Sequence, residues 1–456
     1  MKDFSATFSS IIDSYKDDMI SMLCDLVSFP SVQAAPEDGM PFGKAVDDCL
    51  RYALDQAAKI GMNTEYVDGY AGHADIGSGE KTMGILVHLD VVPAGEGWDT
   101  DPFTPVIKDG KIFGRGANDN KVASVASLFA IKACLEAGVD FKKKLRVIFG
   151  CNEESGWEDI AYYKTKFEMP DFGISPDASF PVINAEKGIL HFEITIPMTD
   201  DDKKILELSG GERGNVVLAQ TKTLLEGSPA LDISGFDAQA SIENGNTLLT
   251  VSGQAAHGSR PDLGINAGAK LVQLLRKNGF SGNAIDFLCD CIGEKTDGSG
   301  FDVQFSDEVS GALTLSLGIL EKAGDSIRAV IDVRHPVTCT HEDVIEIIDE
   351  KCELYGAKLK VIHEHPSLYM QADHPLIKTL LEQYTKTTGQ PGYTVSIGGG
   401  TYARAMNNAV AFGCNFSDLG DDHGVHMQNE HTKIDDMVKA CKVFANVIAA
   451  VQDADI

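Results

Sequence analysis

Residues 84–90, GILVHLD, read as a short, fully buried strand that ends in His88-Leu89-Asp90. Side chains alternate between the faces of a strand, so His88 and Asp90 point the same way. A metal-binding imidazole commonly has its second nitrogen held by a carboxylate, which fixes the tautomer and raises basicity. The pair therefore reads as one metal ligand with its support. Further ligands are then expected at neighbouring strand ends.

The surrounding chain alternates strands with helices. Helical spacing of apolar residues marks 11–28 and 43–60, and PVIKDGKIFGRG reads as a hairpin turning at Asp109-Gly110. An apolar helix over 121–137 stops before Gly138. KLRVIFGC, residues 144–151, is a β-branched strand running into Asn152-Glu153-Glu154, and FGISPDAS, 172–179, is a shorter one leading to Asp177. Such alternation predicts an α/β domain with a mostly parallel sheet, whose sites form beyond the carboxyl ends of its strands.

From residue 187 the texture changes. LHFEITIP, the strands around SIENGNTLLTVSG and the run GALTLSLGILEKAGDSIRAVIDVR alternate at period two, with helices near 264–277 and 341–354. That predicts an inserted antiparallel α+β domain. After HEHPSLYM the α/β pattern resumes, with a helix over 375–387, strand YTVSI, Gly398-Gly399-Gly400, strand AVAFGC and a last helix over 433–451. The expected organisation is a catalytic domain in two parts, 1–186 and 366–456, interrupted by a lid at 187–365.

Composition narrows the function. A net charge of −29 over 456 residues argues against nucleic-acid or anionic-membrane partners. The start, MKDFSATFSS, lacks the apolar stretch of a signal peptide, and no run is apolar enough to span a bilayer. The ten cysteines are scattered without a CxxC pair, as small core residues in a reducing cytoplasm would be.

The chemistry lies in a constellation. His88, Asp119 in GRGANDNK, Glu154, Asp177 and His426 in HGVHMQNEH are each weak signals alone. Together, three carboxylates and two neutral imidazoles offset most of the charge of two divalent ions. Mixed nitrogen and oxygen ligands suit two zinc ions, with manganese or cobalt as alternatives. Asp119 is assigned between the ions, which two-metal hydrolases hold about 3.5–4 Å apart. Neighbouring residues on extended backbone face opposite ways. One of Glu153 and Glu154 is therefore expected to ligate while the other stays free as general base.

At this point HLDVVPAGEGWDTDPFTPVIKDGKIFGRGANDNK, NEESG, SPDASFPVINAEKG and GQAAHGSRPDLGINA together resemble the M20 metallopeptidases, and among them the dipeptidase V branch of Xaa-His or carnosinase-like dipeptidases. The resemblance runs from about residue 10 to the C-terminus. It implies an aminopeptidase-type catalytic domain with an inserted lid. It also implies His88, Asp119 and Asp177 on one metal, Asp119, Glu154 and His426 on the other, Asp90 orienting His88, and a cis peptide after Asp119. His423 is the rival to His426, and His431 a more distant one. His257 in AAHGS matches a histidine that stabilises the oxyanion, and Arg334 in VIDVRHP an arginine that binds the substrate's terminal carboxylate. Asn215 in GGERGNVV matches a lid asparagine near the substrate, in a sequence that departs from the usual form. Arg404, in GGGTYAR, could assist the substrate carboxylate or simply sit in a tight turn.

The resemblance implies a metal-dependent dipeptidase for dipeptides with a free C-terminal carboxylate, using a metal-activated water and Glu153. A doubled lid implies a monomer. Alternatives are another M20 amidohydrolase (aminoacylase, desuccinylase or carboxypeptidase) and a non-catalytic metal- or peptide-binding relative.

Overall fold

The computed structural model describes residues 3–416 and 423–456. The chain divides into two units, one of Met1–Asn184, Met370–Val395 and Thr401–Ile456, the other of Ala185–Tyr369 with Ser396–Gly400.

The first unit is built on a twisted sheet. Its centre is parallel: strands Lys144–Gly150, Thr82–His88, Phe172–Ser175 and Ala409–Ala411 lie side by side. The antiparallel pair Asn63–Val67 and Ala71–Ile76 extends one edge. Every residue of Thr82–His88 after Thr82 is buried. That is the signature of a strand covered on both faces, and it explains why GILVHLD is a continuous apolar run rather than an alternating one.

Helix Lys44–Ile60 buries Val46, Cys49, Leu50, Ala53, Leu54 and Ala57, one stripe at helical spacing, and ends at Gly61 with φ 100°. Only glycine adopts that left-handed cap without cost. Helices Lys121–Glu136 and Ile434–Val451 pack together and are buried almost all round. The helix expected over 11–28 is two helices, Ser5–Ser14 and Lys16–Val27. Tyr15 interrupts them; its ring lies 4.0 Å from Lys132 Nζ and tilts against Phe129. Such tertiary contacts leave no mark in the local pattern. The Asp109-Gly110 hairpin is present, with both residues at positive φ. A third strand, His431–Lys433, joins Lys111–Phe113 from the far end of the chain.

One buried histidine on this sheet gives an acid-sensitive element. Tyr163 accepts a hydrogen bond from Arg146 Nη1, and its hydroxyl lies in hydrogen-bond contact with His73 Nδ1 at 3.0 Å. Burial first, and then the Arg146 charge, pull His73 from 6.5 to about 4. The unfolded chain takes up this proton before the folded one does. Stability is therefore lost as pH falls from 6.5 towards 4. His73→Gln is expected to flatten the fall in denaturation midpoint between about pH 7 and about pH 5. An unchanged slope would exclude His73 as its source.

The second unit is an eight-stranded, wholly antiparallel sheet. Its order is Ala238–Glu243, Asn246–Ser252, Gln220–Leu225, Ile205–Gly210, Thr314–Ala323, Ser326–His335, Gly188–Pro197 and Lys358–His365. Leu190, Phe192, Ile194 and Ile196 alternate inwards along one strand and join Leu315, Leu317, Ile331 and Val333 in its core. Helices Ala267–Lys277 and His341–Leu354 cover this face. Asn266 caps the first, and a Thr340–Asp343 capping box starts the second. Among the described residues, no helix is long and apolar enough to cross a membrane.

Candidate active site

The parallel strands deliver their carboxyl ends to one side of the first unit. His88 closes its strand opposite Gly150, which leads to Glu153 and Glu154, and Ser175 leads to Asp177. Asp119 arrives on the turn before helix Lys121–Glu136, and the Asp119–Asn120 peptide is cis. His426 comes from the late loop in a left-handed conformation, φ 60°. A non-glycine side chain seldom adopts that conformation.

These residues converge. His88 Nε2 lies 3.1 Å from Asp119 Oδ1 and 3.6 Å from Asp177 Oδ1. His426 Nε2 lies 3.0 Å from Asp119 Oδ2 and 3.0 Å from Glu154 Oε1. Each oxygen of Asp119 thus faces a different histidine. The ligating atoms of His88, Asp119 and Asp177, and those of Asp119, Glu154 and His426, lie within 4.8 Å of one another. His423 is buried with its ring beside His431; among the described residues neither joins a group able to hold a metal.

The electrostatics match the crowding. Burial, then the Asp177 charge, pushes Glu153 well above the carboxylate range. Burial also raises Glu154 and brings Asp177 to about 7. For His426 burial acts downwards, but bonds to Asp119 and Glu154 outweigh it and lift the ring to about 11. His88 is likewise carried up by Asp119, Asp177 and Asp90 against its own burial. The cluster holds protons in place of other positive charge.

One expectation is corrected. Residues 153–156 form a turn, not extended backbone, so Glu153 and Glu154 do not point apart. Carboxylate oxygens of both lie within 4.8 Å of a His88 nitrogen and of each other. The cause is Asp90. Its oxygens accept the backbone amides of Glu153 at 3.1 Å and Glu154 at 3.0 Å, curling the chain as it leaves the strand. Asp90 also faces His88: Nδ1 meets the Asp90 backbone carbonyl at 3.0 Å and the Asp90 carboxylate at 3.5 Å.

Neighbours that the motifs did not single out complete this surround. Asn120 Nδ2 donates to Asp177 Oδ1 at 2.9 Å and to the Pro176 carbonyl at 2.8 Å. From GGGTYAR it is Tyr402 that reaches the cluster, its ring edge-on to His88 at 6.1 Å and its hydroxyl donating to the buried Asp159. Arg404 is half-buried in the same short turn. Composition alone marks none of these, because an Asn after an Asp and a Tyr in a turn are ordinary.

The second unit gathers its own set. The Asn215 carbonyl accepts the Gly258 amide at 2.7 Å, and Val216 bridges to His257. The Ser259 amide donates to His257 Nδ1 at 3.2 Å. An amide can only donate, so Nδ1 carries the lone pair and the ring proton sits on Nε2. Arg334 is buried and gripped by Asp332, Nε to Oδ1 at 2.6 Å and Nη2 to Oδ2 at 2.9 Å; Nη1 donates to the Gly398 carbonyl at 3.1 Å. A guanidinium has five N–H donors. Among the described residues, three are thus bonded and two remain. Burial would raise the Asp332 carboxyl, but the Arg334 charge and His191 bring it down to about 2. A side chain at Gly258 would strike Asp332 Oδ2 at 2.3 Å, so only glycine lets the His257 turn lie against this pair.

Fold and cluster together define a two-unit α/β protein with a carboxylate-histidine centre at the strand ends of its first unit. The chain belongs to the M20/M25/M40 peptidase family, whose model matches residues 84–450. It is 34% identical over 453 residues, covering 95% of this chain and 97% of its relative, to the Bacillus subtilis (strain 168) protein named "Putative dipeptidase YtjP". Human carnosine dipeptidase 1 superposes with a TM-score of 0.63 at 15% identity, over 99% of both chains. The Bacillus subtilis YXEP protein, described as a dinuclear metal binding peptidase of the M20 family, superposes with a TM-score of 0.54 at 11% identity, over 97% of this chain and 100% of that one.

Proposed function

We propose that the protein is a metal-dependent dipeptidase. In this reading His88, Asp119 and Asp177 hold one divalent cation and Asp119, Glu154 and His426 hold a second, zinc by donor type, with manganese or cobalt as alternatives. The observation that carries it is Asp119, whose two oxygens lie 3.1 and 3.0 Å from two different histidines. The donor set fits: two imidazole nitrogens and several carboxylates converge in one place, and no lysine or arginine is paired with them among the described ion pairs. When bound, such a pair polarises a carbonyl and makes water acidic near neutral pH.

The rest falls to side chains. Glu153 takes the proton of the attacking water and returns it to the leaving amine. Asp90 holds the Glu153 and Glu154 amides in place. His257, with its proton on Nε2, donates to the developing oxyanion. Arg334, pre-aimed by Asp332, offers its two remaining donors to the substrate's terminal carboxylate, a planar match for a bidentate contact. Asn215 and Arg404 are the further candidates for contacts to the substrate in this reading. Holding both the scissile bond and the terminal carboxylate favours dipeptides over longer chains.

We read the enzyme as cytoplasmic, on the support that all ten cysteines are free thiols. We read it as a monomer, on the support that one chain supplies all eight strands of the sheet in its inserted unit.

The test is hydrolysis by the metal-loaded protein of a panel of dipeptides, tripeptides, dipeptide amides and N-acetyl amino acids. Dipeptides with a free carboxylate are expected to give the highest kcat/KM. A preference for N-acetyl amino acids would make the protein an aminoacylase-type enzyme instead, and no metal-dependent hydrolysis would make it a binding relative.

A further inference from the structure

Glu430 is fully buried and carries three hydrogen bonds on its carboxylate. Oε1 accepts two backbone amides, Asn118 at 2.9 Å and Asp119 at 3.0 Å. Oε2 accepts Arg115 Nη1 at 2.7 Å. Arg115 is itself buried, and its Nη2 reaches the Ala94 carbonyl at 3.3 Å. The Glu430 backbone carbonyl accepts the Gly114 amide at 2.9 Å.

The position of this residue in the chain matters as much as its bonds. Glu430 stands between His426 and the strand His431–Lys433, which pairs antiparallel with Lys111–Phe113. The latter strand runs directly into the turn that carries Asp119. One carboxylate therefore ties the loop bearing His426 to the turn bearing Asp119, segments that are remote in sequence. The two amides it accepts belong to the residue before Asp119 and to Asp119 itself. They fix the backbone from which the Asp119 oxygens reach His88 and His426.

We propose that Glu430 is a positioning residue for the cation pair, setting the Asp119 turn and holding it in register with His426. The proposal rests on the reading of Asp119 as the ligand shared by two cations. Partners that orient metal ligands typically contribute about tenfold to 100-fold in metal affinity. The role also explains why a carboxylate stands here: a single oxygen must take two amides while the other takes a guanidinium, and a charged acceptor makes all three bonds stronger.

The experiment is calorimetric titration of the metal-stripped full-length protein with Zn2+ alone, for the wild type, Glu430→Ala, Glu430→Asp and Glu430→Gln. Glu430→Asp keeps the charge beside Arg115 but withdraws the oxygens from the amides. Both Glu430→Ala and Glu430→Asp are expected to weaken binding of at least one ion by about tenfold or more. Glu430→Gln, which keeps an oxygen for the two amides, is expected to lose less than Glu430→Asp. Melting of the metal-free proteins reads the structural cost, and the loss of affinity in Glu430→Asp is expected to exceed that in Glu430→Gln beyond any difference in melting between the two. If Glu430→Ala does not fold, Glu430→Asp against Glu430→Gln decides alone. Wild-type affinity for both ions in Glu430→Asp, or equal losses in Glu430→Asp and Glu430→Gln, would overturn the proposal. Asp119→Asn in the same titration checks the underlying reading: if it still binds two ions with wild-type affinity, Asp119 is not the shared ligand, whatever Glu430 does.

Discussion

Glu153→Gln is expected to lower kcat by about 10²–10⁴-fold, the range contributed by a positioned proton-transfer group, while both cations still bind. Glutamine keeps the shape and the hydrogen-bonding oxygen but cannot take a proton from water. The Glu153 backbone amide remains on Asp90, so the turn should survive the change. Glu154 sits beside it but faces His426, 3.0 Å from its Nε2, and is committed elsewhere. The measurement is kcat with calorimetric metal stoichiometry on the same preparation. Substantial residual turnover would remove Glu153 from the base role. Loss of a cation would instead make it a ligand, the option left open by the closeness of Glu153, Glu154 and His88.

Stripping the cations is expected to abolish hydrolysis and to lower Tm by several degrees. Four carboxylates, Asp119, Glu153, Glu154 and Asp177, are packed with two histidines at one end of a sheet. Without cations this arrangement is tolerated only by keeping protons. Burial and mutual repulsion hold Glu153 and Glu154 above their ordinary range and Asp177 at about 7. A bound cation replaces those protons and stabilises the folded state by mass action. The sign follows: groups whose folded pKa is raised are protonated in the stripped protein, so cation uptake at or below about pH 7 should release protons. Titrations in buffers of different ionisation enthalpy read that release directly. Restoration by each of Zn2+, Mn2+ and Co2+ would rank the metals. Full activity after exhaustive chelation, or uptake without proton release, would contradict the two-cation reading.

Much of this protein was legible in the chain itself. A buried strand needs a continuous apolar run, and helices must show an apolar stripe, so GILVHLD, KLRVIFGC and the helix at 121–136 declare themselves. Parallel strands put their ends together, so polar residues just past those ends, His88, Glu154 and Asp177, could be grouped before any distance was known. The change to period two at 187 likewise announced an antiparallel sheet, because one face of strands such as Gly188–Pro197 is less buried than the other.

Tertiary structure decided what local pattern does not encode. Whether His423 or His426 meets Asp119 depends on how a loop folds; His426 reaches it from a left-handed backbone. The direction of Glu153 depended on the Asp90 oxygens that curl residues 153 and 154, bonds made across 63 and 64 positions. Asp332 under Arg334, and Glu430 under the Asp119 turn, are single acidic residues in a chain with 68 of them. Only burial tells them apart, since a carboxylate out of water must have its oxygens bonded, and the groups that bond them come from elsewhere in the sequence. The strand end His88-Leu89-Asp90 was readable from residue types alone. The partners that Asp90 actually holds were set by the fold.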